Sequence, residues 1–193
     1  MKIGLYFGTF NPIHVGHLII ANHFAEYSEL EKIWMVITPH NPFKKKKSLL
    51  DNHHRYQLVQ RAVENYPKLE ASTIEFKLKQ PNYTVDTLVH LEEKYPDYEF
   101  CLIMGEDNLN GFHKWKNYEV ILERHDIYVY PRIAQGGKHS ALIDHPKIHQ
   151  IDAPIVEISS SFVRKAITEG KNCRPLLPGA VWEYVDEMNF YKN

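Results

Sequence analysis

Short apolar runs alternate along the chain with longer stretches in which apolar residues recur every three or four positions. The short runs predict six strands, at Lys2–Phe7, Lys32–Thr38, Glu70–Thr73, Phe100–Met104, Asp126–Tyr130 and Lys147–Ile151. The periodic stretches predict six helices, at His14–Glu26, Asn52–Asn65, Val85–Lys94, Tyr118–Glu123, Ser160–Glu169 and Ala180–Glu187. Strands that alternate with helices form right-handed crossovers. We therefore predict an α/β fold with a Rossmann-like, doubly wound, mostly parallel sheet and helices on both faces.

Length and composition narrow the class of protein. With 193 residues and no visible repeat or linker, the chain is expected to form a single domain over 1–193. The formal net charge of −1 argues against a dedicated nucleic-acid binder, and no apolar run of about 18 residues predicts a membrane span. Two cysteines are too few for a disulfide framework. Because the first residues also lack a signal-peptide pattern, we expect a cytoplasmic protein.

Residues 8–17 carry the strongest chemical signal, Gly-Thr-Phe-Asn-Pro-Ile-His-Val-Gly-His, directly after the first predicted strand. Gly8 permits a sharp turn, and a helix start after such a turn offers backbone N–H groups to an anion. His14 and His17 lie one helical turn apart and can face the same anion. Gly16 between them leaves room for a purine or ribose. A structural turn with two surface histidines is the alternative, but the whole decapeptide favours a phosphate site.

A second anion site is predicted near the other end of the chain. Residues 158–164 read Ile-Ser-Ser-Ser-Phe-Val-Arg at a strand-to-helix junction. The hydroxyls of Ser159, Ser160 and Ser161 add donors to the backbone amides of a helix start, and Arg164 follows about one turn later. Ordinary helix capping explains part of this pattern. A bound triphosphate would need contacts at both of its ends, which the two motifs together can supply.

Four other positions are weaker candidates. Asp107 follows a predicted strand in Gly105-Glu106-Asp107, where a carboxylate can hold ribose hydroxyls or cap a helix. Trp115 can offer a flat face to an aromatic ring, although most tryptophans belong to the core. Thr84 opens a helix whose amides suit a small carboxylate. Lys44 begins a run of four lysines that could fold over a phosphate or simply be a solvated loop.

With these residues in order, the chain resembles the nucleotidyltransferase superfamily that carries the HxGH signature, and within it the bacterial nicotinate-nucleotide adenylyltransferases. The resemblance rests on residues 8–17, on residues 158–164 and on residues 83–88, which are similar to the family's Tyr-Thr-x-x-Thr-Leu stretch. Asn11 stands where the family has aspartate, so it cannot be an anionic magnesium ligand. Residues 41–44, Asn-Pro-Phe-Lys, keep the lysine of the family's Pro-Pro-His-Lys loop and lose its histidine.

The resemblance implies transfer of the adenylyl group of ATP to nicotinate mononucleotide, which gives deamido-NAD and pyrophosphate. It assigns catalytic contacts to His14, His17, Arg164 and Lys44. It assigns ATP contacts to Gly8, Thr9, Phe10, Gly16, Gly105, Asp107, Ser159, Ser160 and Ser161. It assigns contacts to the mononucleotide to Asn11, Thr84 and Trp115. It also implies Mg²⁺ carried mainly by the ATP phosphates, with no metal site made by the protein.

Several alternatives stay open at this point. Nicotinamide-mononucleotide and phosphopantetheine adenylyltransferases share the first signature, so the sequence does not decide between nicotinate and nicotinamide mononucleotide. A non-catalytic nucleotide- or RNA-binding module could keep the same fold. The intact motifs argue against lost chemistry, and the near-neutral net charge argues against RNA. A homo-oligomer is compatible with the sequence.

Overall fold

A six-stranded, wholly parallel sheet forms the centre of the molecule. The computed structural model describes residues 1–39, 49–132 and 140–192. The strands are β1 (Lys2–Gly8), β2 (Lys32–Ile37), β3 (Leu69–Ser72), β4 (Glu99–Gly105), β5 (Ile127–Tyr130) and β6 (Ile148–Gln150). Their order across the sheet is β3-β2-β1-β4-β5-β6. All six predicted strands are confirmed, and every pairing between neighbours is parallel.

Within the described residues, seven α-helices connect the strands or follow the last of them. They are α1 (Val15–Tyr27), α2 (Asn52–Val63), α3 (Thr84–Lys94), α4 (Glu106–Gly111), α5 (Tyr118–Arg124), α6 (Ser160–Thr168) and α7 (Gly179–Glu187). Six of them match predicted helices, whereas α4 is too short and too polar to show a helical period. Gly170 ends α6 with φ of +67°, and the N–H of Lys171 donates to Ala166 in the pattern that glycine favours after a helix.

Two hydrophobic cores lie on opposite faces of the sheet, as the prediction of a doubly wound fold requires. On one face, Met35 and Ile103 pack with Phe24 of α1 and Val181 of α7. The other core contains side chains from the intervening strand positions and from α3, α4 and α5, such as Trp34, Leu102, Leu88, Leu109 and Ile121. Because successive strand residues point to opposite faces and both faces are covered, the strands read as continuous apolar runs.

The topology places ligand binding at one edge of the sheet. The chain order reverses between β1 and β4, which are neighbours. In open parallel sheets, ligands bind beyond the carboxyl ends of the strands at this point of reversal. Residues 8–17 leave β1 there, and Asp107 lies just after β4. None of the described helices is both long and apolar enough to cross a membrane.

Candidate active site

Two stacked imidazoles mark the start of α1. The ring centroids of His14 and His17 are 3.7 Å apart, with planes inclined by 25°. The backbone N–H of His14 donates to Nδ1 of His17 over 3.2 Å. A neutral imidazole whose Nδ1 accepts a hydrogen bond carries its hydrogen on Nε2. The helix start therefore fixes His17 in the tautomer that can donate to an anion through Nε2.

His14 is held neutral by its surroundings. Its residue is only 4% exposed, and its Nδ1 has no hydrogen-bond partner among the described residues. Burial lowers the pKa of His14 from 6.5 to about 4, and the positive charge of Arg132 acts in the same direction. Both effects disfavour the imidazolium form. Without a ligand, His14 is therefore neutral at neutral pH. An anion bound beside the ring would oppose both effects and favour the imidazolium form.

This depressed pKa predicts an acid-dependent loss of stability. Below pH 6.5 the unfolded chain binds a proton at His14 that the folded chain refuses until about pH 4, so acidification favours unfolding. Between these two pH values we expect the free energy of unfolding of the wild-type protein to fall by about 3 kcal/mol because of His14. His14→Asn should not show this part of the fall. Urea unfolding at a series of pH values measures it. His53→Asn, at an exposed histidine, should follow the wild-type pH curve, and a His14→Asn curve parallel to wild type would contradict the expectation.

The second predicted motif meets the first in space. The hydroxyl of Ser160 donates to the carbonyl oxygen of Pro12 over 2.9 Å. The Nη1 of Arg164 donates to the carbonyl oxygen of Asn11 over 2.7 Å. These contacts join residues about 150 positions apart in the chain. The start of α6 and the loop before α1 therefore form one continuous, donor-rich surface, as the two anion motifs predict.

The serines of this motif divide their roles. The side chain of Ser159 accepts the N–H of Phe162 over 3.1 Å, so this residue is the helix cap that ordinary capping predicts. The Oγ of Ser161 accepts from Nη2 of Arg164 over 3.1 Å. This exposed hydrogen bond and the bond from Nη1 to Asn11 together fix the orientation of the Arg164 guanidinium.

A buried guanidinium, that of Arg55, supports the loop that follows β1. Arg55 of α2 is fully buried. Over 2.6–3.1 Å it donates to four backbone carbonyls and one side chain, those of Leu50, Thr9, Thr38, Pro39 and Asn52. Desolvation lowers the pKa of Arg55 to about 10, which leaves it charged at neutral pH. This cation ties the carboxyl ends of β1 and β2 to the start of α2.

A cavity of about 280 Å³ opens beside the end of β1, and four predicted site residues line it, among them Gly8 and Thr9. Thr84 at the start of α3 and the half-buried Trp115 both line it. Glu75 and Asn82 lie at its inner side, where the Asn82 amide donates to the carbonyl of Glu75 over 3.1 Å. The hydroxyl of Thr87 donates to Oε1 of Glu75 over 2.8 Å. Burial raises the pKa of Glu75. Through its hydrogen bonds with Asn82 and Thr87, Glu75 holds the start of α3 at the cavity.

Two predicted residues are more enclosed than expected, and a third cannot be placed. A Cβ at Gly16 would lie 3.0 Å from Val156 and 3.1 Å from the His14 ring. The side of Gly16 on which a Cβ would lie is therefore occupied by protein, and its contact with ATP stays a prediction. Phe10 is 1% exposed, and its ring packs on Tyr6 and on the ring of His17. Lys44 lies outside the described residues.

The residues after β4 form the far wall of the site. Gly105 is the N-cap of α4, so Asp107 lies inside this helix and is not its cap. The exposed Asp107 carboxylate is 3.8 Å from Nε of Arg132. That Nε is buried without a hydrogen-bond partner among the described residues. A Cβ at Gly105 would collide with the Asp107 carboxylate and lie 3.2 Å from Cγ of Arg132, so the backbone here passes close to both side chains.

The described residues include one group that could hold a metal ion, but it lies at the opposite end of the strands. Ligand atoms of Glu99, Cys101 and Asp126 are within 4.8 Å of one another. The ammonium of Lys2 is 3.3 Å from the Glu99 carboxylate and 3.5 Å from that of Asp126. A cation from the protein thus already neutralises these carboxylates, and we assign no ligand to them.

Four residues that organise the site were not predicted from the sequence: Arg55, Glu75, Arg132 and Tyr191. Arg132 comes directly after an apolar strand, which is a position that could have been noticed. The other three have no local signal, because a charged residue in an amphipathic helix or a tyrosine near a chain end is usually exposed. Their contacts depend on which distant segments meet.

Comparisons with known proteins agree with this geometry. The cytidylyltransferase-like family matches residues 5–166. A Flavobacterium johnsoniae protein named "Probable nicotinate-nucleotide adenylyltransferase" is 68% identical over 192 residues, 100% of both chains. One of the same name from Bacteroides fragilis is 44% identical over 184 residues, covering 95% of this chain and 90% of that one.

A solved structure shares the fold. The nicotinic acid mononucleotide adenylyltransferase of Plasmodium falciparum, in complex with NaAD, superposes with a TM-score of 0.82 at 22% identity and covers 98% of this chain and 97% of its own. At that identity the likeness concerns the fold, whereas the curated relatives are similar over the full sequence. The chain therefore belongs to the cytidylyltransferase-like family, and within it to the nicotinate-nucleotide adenylyltransferases.

Proposed function

We propose that this protein transfers the adenylyl group of ATP to nicotinate mononucleotide and releases deamido-NAD and pyrophosphate. The observation that carries the proposal is the pair of hydrogen bonds from Ser160 and Arg164 to the carbonyls of Pro12 and Asn11. They bring a serine-lined helix start and the two stacked histidines to one surface at the switch point of the sheet. A triphosphate with its leaving group and its reacting phosphorus fits such a surface.

The reaction needs positioning and charge stabilisation more than proton transfer. The phosphate oxygen of the mononucleotide attacks the α-phosphorus of ATP in line, and the bond to the bridging oxygen of pyrophosphate breaks. The attacking phosphate is already an anion near neutral pH, so no protein base is required. Catalysis then comes from donors that are fixed before the substrate arrives.

In this proposal the histidines act on the α-phosphoryl group. His17 donates through Nε2 to the oxygens on which negative charge increases, and its Nδ1 is held by the start of α1. His14 enters neutral, and the approaching phosphate raises the pKa that burial and Arg132 have lowered. Hydrogen bonds to a charged partner are about twice as strong as neutral ones. The two histidines therefore stabilise the transition state most effectively at the α-phosphoryl oxygens, where negative charge increases.

The other phosphates and the ribose are assigned to the start of α6 and the end of β4. Arg164 and the amides of residues 159–161 hold the pyrophosphate leaving group. Asp107 binds the hydroxyls of the adenosine ribose, and the backbone of Gly8 and Thr9 passes beneath the phosphates. Lys44 remains the candidate for the attacking phosphate.

The pyridine ring is assigned to the cavity beside β1. Trp115 stacks on the ring, and the amides at the start of α3 near Thr84 bind its carboxylate, because a helix start attracts negative charge. Tyr83 and Lys116 lie at the same cavity, where the Lys116 ammonium is 4.7 Å from the Tyr83 ring centre and 2.9 Å from Asp86. These contacts join the segment that carries Trp115 to the start of α3 and so fix the width of the cavity.

We further propose that Mg²⁺ reaches this site on the ATP phosphates. The side-chain oxygen of Asn11, at the position of the family's aspartate, accepts hydrogen bonds from the N–H of Leu50 and the hydroxyl of Tyr191. Both of its lone pairs are thereby used inside the protein, which does not fit a metal ligand. When bound, Mg²⁺ would neutralise charge on the phosphates, and the protein would hold it mainly through them.

Pyrophosphate formation from ATP with a panel of mononucleotides tests the function. Nicotinate mononucleotide should give at least about tenfold higher kcat/KM than its amide analogue, because the carboxylate gains the positive helix start near Thr84. Phosphopantetheine should give no product. Equal rates with the acid and the amide would overturn the specificity, and the absence of pyrophosphate with every pyridine mononucleotide would overturn the function.

A further inference from the structure

The last residues of the described chain return to the loop that leaves β1. The hydroxyl of Tyr191 donates to Oδ1 of Asn11 over 2.8 Å, across 180 positions of sequence. Asn11 is 3% exposed and also accepts the N–H of Leu50 over 3.1 Å. Its side-chain oxygen is therefore fixed by two donors from remote segments, and the loop before the histidines depends on both.

Helix α6 completes a closed set of contacts with the same two residues. Near its start, Arg164 holds the carbonyl of Asn11 over 2.7 Å. At its end, the hydroxyl of Thr168 donates to the carbonyl of Tyr191 over 2.8 Å. Side chains of α6 thus donate hydrogen bonds to the backbone carbonyls of both Tyr191 and Asn11. Displacing either residue would disturb the helix that carries the second anion motif.

The tyrosine is suited to a permanent donor role. Burial raises the pKa of Tyr191 well above its usual range, although Arg164 and Arg55 act in the opposite direction. Its hydroxyl therefore remains protonated at any physiological pH and can always donate to Asn11. The ring packs on Phe190, with centroids 6.2 Å apart.

We propose that Tyr191 is a positioning residue of the adenylyl-transfer site, which acts through Asn11 to fix the loop between β1 and the histidines. The inference rests on the proposed function. Since the hydroxyl is bound to Asn11 and acts through the loop, its loss should slow the chemical step and leave substrate binding nearly unchanged.

The test compares two tyrosine-to-phenylalanine variants. Tyr191→Phe removes only the hydroxyl that faces Asn11. Tyr184→Phe is the matched control, because Tyr184 also packs on Phe190 and its hydroxyl also makes one hydrogen bond, to Nδ1 of His54 over 2.9 Å. Loss of one hydrogen bond should lower the thermal midpoint of both variants by similar amounts.

The kinetics should separate the two variants. We expect kcat for pyrophosphate release to fall about three- to tenfold in Tyr191→Phe, with KM for both substrates changed less than about twofold, and to stay at the wild-type value in Tyr184→Phe. Asn11→Ala should lower kcat more, and adding Tyr191→Phe to it should cause no further fall, because both act through one contact.

Other outcomes overturn the proposal. A wild-type kcat in Tyr191→Phe, an equal fall in Tyr184→Phe, or multiplicative losses in the double variant would each show that the hydroxyl does not act through Asn11. Failure of the proposed function is distinct from these results, because the wild-type protein would then release no pyrophosphate.

Discussion

Replacing His17 with asparagine is expected to lower kcat for pyrophosphate release by about a hundred- to a thousandfold, the usual cost of removing one preorganised donor to a developing charge. An asparagine side-chain oxygen can replace Nδ1 and accept the N–H of His14, the hydrogen bond that caps the helix. It cannot reach the position of Nε2. The variant should therefore stay folded, with a thermal midpoint close to that of the wild type.

Two companion variants make this test specific. In His17→Gln the side-chain amide can lie near the position of Nε2, but no atom replaces Nδ1 as the acceptor of the His14 N–H. This variant should therefore be less stable and more active than His17→Asn. His23→Asn alters another histidine of α1, which stacks on Tyr27 at 4.7 Å, and should keep wild-type kinetics. Near-normal turnover in His17→Asn, measured by pyrophosphate release at saturating substrates, would remove the catalytic assignment.

Replacing Arg55 with methionine is expected to destabilise the fold by about 3–5 kcal/mol, because a buried carbonyl left without a donor costs about 1–3 kcal/mol. Four carbonyls lose their donor, and water can recover part of the loss at Leu50, Thr9 and Thr38, whose bonds to Arg55 are only partly buried. Total stabilities of about 5–15 kcal/mol make this a large fraction. Urea unfolding followed by circular dichroism measures the difference.

The control for Arg55 lies on the same helix. Arg61→Met removes an exposed guanidinium that stacks 4.6 Å from the Tyr184 ring centre, and it should cost less than about 1 kcal/mol. Arg55→Lys keeps the charge but has fewer donors in a different geometry, so its stability should lie between wild type and Arg55→Met. A loss below about 1 kcal/mol in Arg55→Met would show that the guanidinium is not the support that its hydrogen bonds indicate.

The fold was predictable from sequence because both faces of the sheet are covered. Strands such as Lys32–Ile37 then read as unbroken apolar runs, and helices such as Asn52–Val63 carry their own period. The short helix Glu106–Gly111 could not be predicted, because a polar six-residue segment has no recurring apolar position. Its helical conformation comes from its place at the end of β4, and not from its own residues.

The site was predictable where its residues are close together in the sequence. It was not predictable where the fold brings distant residues together. The histidine motif and the serine motif are recognisable by residue type and spacing, and the structure joins them through Arg164 and Asn11. Arg55 looks like any charged residue on an amphipathic helix, and Tyr191 like any residue near a chain end. Only the topology reveals that both make hydrogen bonds to residues 9–11.

The distribution of the site along the chain has a consequence for synthesis on the ribosome. Translation proceeds from the amino terminus, and all six strands are complete at residue 150. A nascent chain of that length already carries His14 and His17 but lacks Arg164 and Tyr191, which hold their loop in place. The loop that carries the two histidines therefore gains these supports only after the strands that bear it have been synthesised.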